Sequence, residues 1–275
     1  MGGPSTWVGR YAGVDVVTDF PWTGLVVGTP GTECAAAAQP ADGAVTEVVA
    51  KGFLADAARD FRCAWQGRRA QLSISGIGDI SLDLDAGRAH AIDSGQDATA
   101  MGLALTGPAL ALLLAARGSW MLHGSAVRHG DAALLLLGES GVGKSTLARQ
   151  YADSGRRLAD DLVACRLDDD GLRWPGALPQ PRLPDEFDRT SPRRVARIVM
   201  LEPGGDEPVV RELSPADQSL ALIRHTVATR LFPSWLLESH LAWAAAVAAR
   251  KRCVALSYAQ VPAKLRAMVA LLETL

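Results

Sequence analysis

The octapeptide Gly138-Glu139-Ser140-Gly141-Val142-Gly143-Lys144-Ser145 constrains this chain of 275 residues more than any other stretch. It fits GxxxxGK[ST] in every position, with the apolar run Ala132–Leu137 before it and the helix formers Thr146-Leu147-Ala148-Arg149-Gln150 after it. Strand, glycine-rich turn and helix in that order form a phosphate cradle. Glycines let successive backbone N–H groups converge on phosphate oxygens, and the start of a helix adds partial positive charge. Lys144 supplies a mobile point charge to the β- and γ-phosphates, and the Ser145 hydroxyl is a ligand for Mg²⁺. The expected nucleotide-binding residues are Gly138, Glu139, Ser140, Gly141, Val142, Gly143, Lys144, Ser145 and Thr146. A glycine turn without a ligand is the competing reading, and chance matches arise roughly a few times per thousand chains of this length.

Composition removes other classes. The chain has 28 basic and 30 acidic side chains, a formal net charge of -2, and is 48% hydrophobic and 21% charged. That is globular usage, with no global electrostatic footprint for nucleic acid or an anionic membrane. Four of the basic residues are lysine and asparagine is absent, so a phosphotransfer loop that needs an asparagine ligand cannot operate here in its usual form. Cys34, Cys63, Cys165 and Cys253 lie far apart with no CxxC, as reduced structural thiols do. No secretory signal is visible, and the longest apolar stretch, Leu103–Ala116, is 14 residues long and contains Gly107 and Pro108, too short to span a bilayer. A cytoplasmic protein is expected.

The first 98 residues read as a β-rich domain: Val14–Val17, Gly24–Val27, Val45–Val49, Gln71–Ile74 and Ile80–Leu84 carry β-formers or alternation, and residues 28–43 read as a loop. Residues 99–275 read as a second domain. It opens with a helix near 101–117 and a strand Trp120–Val127. After the glycine loop come a buried strand Leu158–Leu167, a loop-rich Asp168–Pro192 and a strand over 195–201. Ser214-Pro215 starts a helix, and Val254–Tyr258 with Pro262–Leu275 closes the chain as strand and helix. The fold class expected is α/β, α+β overall.

Two features flank the glycine loop. Asp160-Asp161 stands 16 and 17 residues past Lys144. An acidic residue there can hold Mg²⁺ directly or through water, and a neighbouring carboxylate can accept a proton from an attacking hydroxyl. A surface turn with two solvated acids is the plain alternative. His123, in Leu122-His123-Gly124-Ser125-Ala126-Val127, is placed to sit near a terminal phosphate, although a lone histidine in an apolar segment is more often structural.

Together, Leu122–Val127, Gly138–Ser145 and Ser154-Gly155-Arg156-Arg157-Leu158-Ala159-Asp160-Asp161 resemble the HPr kinase/phosphorylase family, over roughly residues 120–167. The resemblance implies a P-loop kinase domain like that of phosphoenolpyruvate carboxykinase, using ATP and Mg²⁺ to phosphorylate a serine hydroxyl. Residue by residue it implies Lys144 on the phosphates, Ser145 and Asp160 at Mg²⁺, Asp161 as the base and His123 assisting. The spacing from Gly155 to the acidic pair is one residue shorter than in many members. The family's later Glu-Ile-Arg-Gly signature is missing, since the region reads Leu172-Arg173-Trp174-Pro175-Gly176 and then Pro181-Arg182-Leu183-Pro184. The resemblance therefore does not extend to the reverse, phosphorylase reaction or to HPr as acceptor.

The whole layout is similar to the shorter HPr kinase-like enzymes of peptide-tailoring operons, including those that phosphorylate the C-terminal serine of lasso-peptide precursors. The implied partner is a peptide or small protein with a serine hydroxyl, with no nucleic acid and no membrane. Family members assemble as hexamers, which leaves a homo-oligomer open. Arg182 is the candidate for touching substrate. Arg193, Arg194, Arg197 and Arg211 read either as solvated loop arginines or as a site for an acidic peptide. Trp235, Leu236, Leu237 and Trp243 read as core or dimer packing ahead of a peptide groove. Two rival functions stand beside the peptide kinase: a small-molecule hydroxyl kinase, and a non-catalytic module that senses ATP or binds peptides.

Overall fold

Ser73-Ile74-Ser75 and Ile80-Ser81-Leu82-Asp83-Leu84 alternate apolar with polar, and in a computed structural model of the chain they lie in a twisted antiparallel meander. The structure describes residues 7–11, 14–18, 45–93, 98–151, 156–176, 178, 191–205, 207–250 and 252–275. The expected strand Gly24–Val27, the loop 28–43 and Arg182 lie outside them. The chain divides into two compact units, Met1–Trp120 with Val227–His240, and Met121–Thr226 with Leu241–Leu275.

The first unit holds β1 (Trp7–Tyr11), β2 (Val14–Thr18), β3 (Val45–Leu54), β4 (Ala57–Gln66), β5 (Arg69–Ile74), β6 (Gly78–Asp83) and β7 (Arg88–Asp93). Their order in the sheet is β1-β2-β7-β6-β5-β4-β3, and only the β2–β7 pair is parallel among those described. One face carries the core: Phe61, Cys63 and Trp65 of β4, Leu72 and Ile74 of β5, and Ile80 and Leu82 of β6 are all buried. The period-2 pattern puts the intervening polar residues in water. Ser75-Gly76-Ile77 makes the turn between β5 and β6.

The helix expected over 101–117 forms as α1 (Ala98–Ala104), a π-helical turn Leu105–Ala109 and α2 (Leu110–Ala115). Pro108 lacks the N–H that an unbroken α-helix would use, and the wider turn accommodates it. Every residue of α2 is buried, which is why this stretch is apolar on all sides. These helices belong with the first unit, which runs on to Trp120 before Met121 opens the second. The physical reason is that α1 and α2 pack on strands of the N-terminal sheet. The same unit takes back Val227–His240. There Trp65 donates its Nε1–H to the Leu231 carbonyl at 3.0 Å and meets Trp235 edge-on at 6.2 Å. His240, 1% exposed, lies against Trp120 and Phe232, and burial pulls its pKa down to about 4.

The second unit holds most of β8 (Ser119–His129), then β9 (Ala132–Leu137), α3 (Lys144–Arg149), β10 (Arg157–Ala159), β11 (Leu162–Asp168), β12 (Gly171–Trp174), β13 (Arg193–Pro203), β14 (Val209–Glu212), α4 (Pro215–His225), the C-terminal part of α5 (Ser234–Ala248), β15 (Cys253–Tyr258) and α6 (Leu265–Leu272). Parallel β9, β13 and β15 form its centre, and antiparallel β8, β10 and β14 extend it. Leu134, Leu136, Val199, Leu201, Val254 and Leu256 fill the core with Leu147 and Tyr151 behind the loop. Ser214 caps α4 through its hydroxyl, which accepts from the Asp217 N–H at 3.2 Å, with Pro215 in the first turn. Leu158–Leu167, expected as one strand, is two, broken at Asp160-Asp161.

The mixed α/β class, with a β-rich N-terminal region, is thus what the chain forms. No helix among the described residues is long and apolar enough to cross a membrane. Cys63, Cys165 and Cys253 are free and buried, and burial raises the pKa of Cys63 and Cys253 to about 12. Trp65 both fills the N-terminal core and satisfies a carbonyl at its base. Trp65→Ala should therefore cost about 3–5 kcal/mol of stability in a urea titration.

Candidate active site

Register explains why the functional residues meet. Gly124 stands opposite Leu137 on antiparallel β8 and β9, so His123 lies across from Gly138, the first residue of the loop. A Cβ at Gly124 would come within 2.7 Å of the Leu136 carbonyl oxygen, so the residue after His123 must be glycine for these strands to pair this closely. On the other side of β8, Val127 and Ala126 pair with Arg157 and Ala159 of β10, with an irregularity between them. That pairing brings the end of β10, and with it Asp160, alongside Ser125.

The loop itself turns as its glycines require. Gly138 has φ +146° and Gly143 φ +97°. A Cβ at Gly138 would lie 2.7 Å from the Leu201 carbonyl oxygen, and one at Gly143 would lie 2.6 Å from Tyr258 Oη. Tyr258, 2% exposed at the end of β15, donates its hydroxyl to the Val142 carbonyl at 2.8 Å. Glu139, Ser140 and Gly141 form the exposed rim, Val142 is rooted in the core, and Thr146 is exposed on α3.

Lys144 is 7% exposed and folds back over the loop, where Nζ donates to the carbonyls of Gly138 at 2.7 Å and Glu139 at 3.0 Å. Burial lowers its pKa from 10.5, against the raising influence of Asp161, Glu139 and Asp160. An ammonium has three donors, and the two loop carbonyls take two of them.

Asp160 is buried, at 4% exposure. Its Oδ1 accepts from Ser145 Oγ at 2.8 Å and from Ser125 Oγ at 2.7 Å, and its Oδ2 pairs with the Arg157 guanidinium. Burial works to raise its pKa; the two hydroxyls and Arg157 outweigh it and hold the carboxyl below 3.8. Asp161 is different. Its backbone has φ +75°, its carbonyl accepts from the Gly124 N–H at 3.1 Å, and its Oδ1 lies 3.4 Å from His123 Nδ1. The side chains of His123 and Asp161 are 43% and 33% exposed. A non-glycine residue in the left-handed region carries strain of order 1–3 kcal/mol and is retained where the surroundings dictate it.

The site residues expected from sequence therefore converge: Lys144, Ser145 and Asp160 on the buried side, His123 and Asp161 on the open side. Ser125, Arg157, Tyr258 and His225 carry parts of the site that the sequence does not assign. Ser125 and Arg157 sit inside the motif segments around His123 and the acidic pair, and a buried acid in need of partners is the available signal. Tyr258 and His225 join through long-range packing alone. Arg193, Arg194 and Arg197 lie on β13 and Arg211 on β14, with Arg197 paired to Glu212 at 3.6 Å and Arg211 to Glu202 at 3.5 Å. Leu236 and Trp243 are buried and Trp235 meets Trp65, whereas Leu237 of the same cluster is exposed. A cavity of about 570 Å³ opens along Gly138–Val142 and is walled by Glu202, Arg211, Arg224, His225 and Gln260.

Among the described residues no group of three or more His, Cys, Asp or Glu side chains forms a metal site by itself. The donor set nevertheless fits Mg²⁺ bound together with phosphate. The Ser145 hydroxyl donates its hydrogen bond to Asp160 and keeps its lone pairs for the ion, and hard oxygen donors suit that ion.

No protein-family profile matches the chain, and no curated protein does. Solved structures similar to it include the HPr(Ser) kinase/phosphatase from Coxiella burnetii, at 15% identity and a TM-score of 0.31, over 56% of this chain and 86% of that one. An overlap that loose assigns no residue a role.

Two measurements test this geometry. Glycine tolerates the backbone of position 161, so Asp161→Gly should be about 1 kcal/mol more stable to urea than Asp161→Ala. Asp160 has a lowered folded-state pKa, so its contribution to stability is present above pH 3.8 and is lost as pH falls through the lowered value. The stability gap between wild type and Asp160→Asn at pH 7 should accordingly close on acidification.

Proposed function

We propose that this chain is an ATP- and Mg²⁺-dependent serine kinase whose acceptor is a peptide or small protein. One observation carries the reading. Two adjacent carboxylates stand in opposite environments, Asp160 buried, ion-paired and bonded to the P-loop serine, Asp161 open to solvent and beside His123. A carboxylate held in its charged form against the loop suits an ion and its phosphates, and one facing water beside an imidazole suits proton transfer. The exposure of His123 and Asp161 also favours an acceptor presented on a chain over one enclosed in a pocket.

In this reading the acceptor oxygen attacks the γ-phosphorus of ATP. The new O–P bond forms as the bond from γ-phosphorus to the β,γ-bridging oxygen breaks, and ADP leaves. Asp161 takes the hydroxyl proton, and His123 orients Asp161 and relays the proton to solvent. Lys144 exchanges the carbonyls of Gly138 and Glu139 for phosphate oxygens. Ser145, with Asp160 behind it, would hold Mg²⁺, which would supply neutralising charge to the phosphates. Catalysis is positioning and charge neutralisation. The C-terminal serine of a lasso-peptide precursor is the acceptor the sequence resemblance suggests, reached from the cytoplasm. Arg182 is proposed to contact it.

The test is intact-mass spectrometry of serine-containing peptides after incubation with the protein, ATP and Mg²⁺. The expected result is the gain of one phosphate, with the rate reduced roughly 10²- to 10⁴-fold in Asp161→Asn and lost in Lys144→Ala. ATP bound by the wild type with no phosphate gained on any hydroxyl peptide would overturn the proposal in favour of a small-molecule kinase or an ATP sensor.

A further inference from the structure

His225 closes α4 on the wall of the cavity that runs along the glycine loop. It is 8% exposed, and no described residue hydrogen-bonds its imidazole. A ring nitrogen on a cavity wall with no hydrogen bond to the protein is open to a ligand. Its position is fixed by the backbone. The next residue, Thr226, makes an isolated antiparallel bridge with Leu122, beside His123, and the Thr226 hydroxyl donates to the Leu222 carbonyl at 2.7 Å. The end of α4 is thereby tied to β8 at the point where β8 presents the residue that contacts Asp161.

The charged and titratable groups whose fields reach His225 come from four places. They are Glu139 and Lys144 of the loop and α3, His123 of β8, and Arg224 of its own helix. Burial, the largest influence, lowers its pKa from 6.5, so at neutral pH the ring is uncharged, with one nitrogen a donor and the other an acceptor. Its neighbours select the ligand. Lys144 reaches the β- and γ-phosphates, Glu139 marks the entry of the loop, and His123 stands with the proposed base. A phosphoryl group in contact with all three is the terminal one.

We propose that His225 is a further catalytic residue, a ligand of the γ-phosphoryl group that donates a ring N–H to it, so that α4 reads whether a nucleoside triphosphate or diphosphate fills the loop. This rests on the kinase reading above for the identity of the nucleotide, though its test needs no acceptor. Arg224, exposed on the same wall, adds charge at the mouth of the cavity.

Calorimetric titration of the full chain with Mg²⁺ and either AMP-PNP or ADP decides it. His225→Phe keeps a ring of similar size and removes the donor, whereas His225→Gln keeps an N–H. In His225→Phe, affinity for AMP-PNP should fall on the order of tenfold, as the loss of one hydrogen bond to a charged group does, with ADP changed less than about twofold. His225→Gln should retain most of the preference. A ratio of AMP-PNP to ADP affinity that His225→Phe leaves at the wild-type value overturns the proposal, as does an equal loss for both nucleotides. The wild type gives an answer without any variant: the ring ¹⁵N resonances of His225 should move with AMP-PNP and stay with ADP, and equal shifts overturn the inference. Failure of the wild type to bind either nucleotide would instead overturn the kinase reading, and this with it.

Discussion

The buried pair of Arg157 and Asp160 anchors the second unit. Asp160 accepts from hydroxyls on two separate elements, Ser125 on β8 and Ser145 at the start of α3, while Arg157 neutralises its other oxygen from the last strand before it. An ion pair this deep is expensive to desolvate, and removing one partner typically costs about 3–5 kcal/mol because the other is left charged in the interior. What the arrangement provides is position: β8, β10 and the phosphate loop are held to one carboxylate. The next residue then has little freedom, and its backbone takes a conformation that an unconstrained aspartate avoids.

Adjacent acids usually share an environment. Here the left-handed backbone at Asp161 turns its carboxylate away from the interior that encloses Asp160, and two identical side chains acquire different chemistry. The glycine after His123 works to the same end from the opposite strand, since it allows a close pairing of β8 with β9 and donates its N–H to the Asp161 carbonyl. Side chain and main chain of Asp161 are thus both held from β8.

The glycine loop is legible in the sequence because its physics is local: eight consecutive residues contain the turn, the cation and the hydroxyl. The alternation of β5 and β6 is legible for the same reason. Asp160-Asp161 reads as the interior of one strand because Leu158-Ala159 and Leu162-Val163 are apolar on both sides, and periodicity carries no trace of one residue with positive φ. The apolar stretch Leu103–Ala116 reads as a buried helix, and it is one, but a stretch that is apolar on every side does not say which sheet covers it. Tyr258 and His225 reach the loop over 116 and 86 residues of chain from Val142 and Glu139, through pairing between strands that no short window contains.

Lys144 has a consequence for how the loop meets its nucleotide. Its ammonium bridges the carbonyls of Gly138 and Glu139, so the loop's own main chain helps to hold the side chain that serves the phosphates. An arriving phosphate therefore competes for the ammonium with two resident acceptors. Association becomes a trade of one set of partners for another, with little net change in the number of hydrogen bonds. The loop gives up affinity in exchange for a cation placed in advance, and a product carrying less charge is the easier one for those carbonyls to displace.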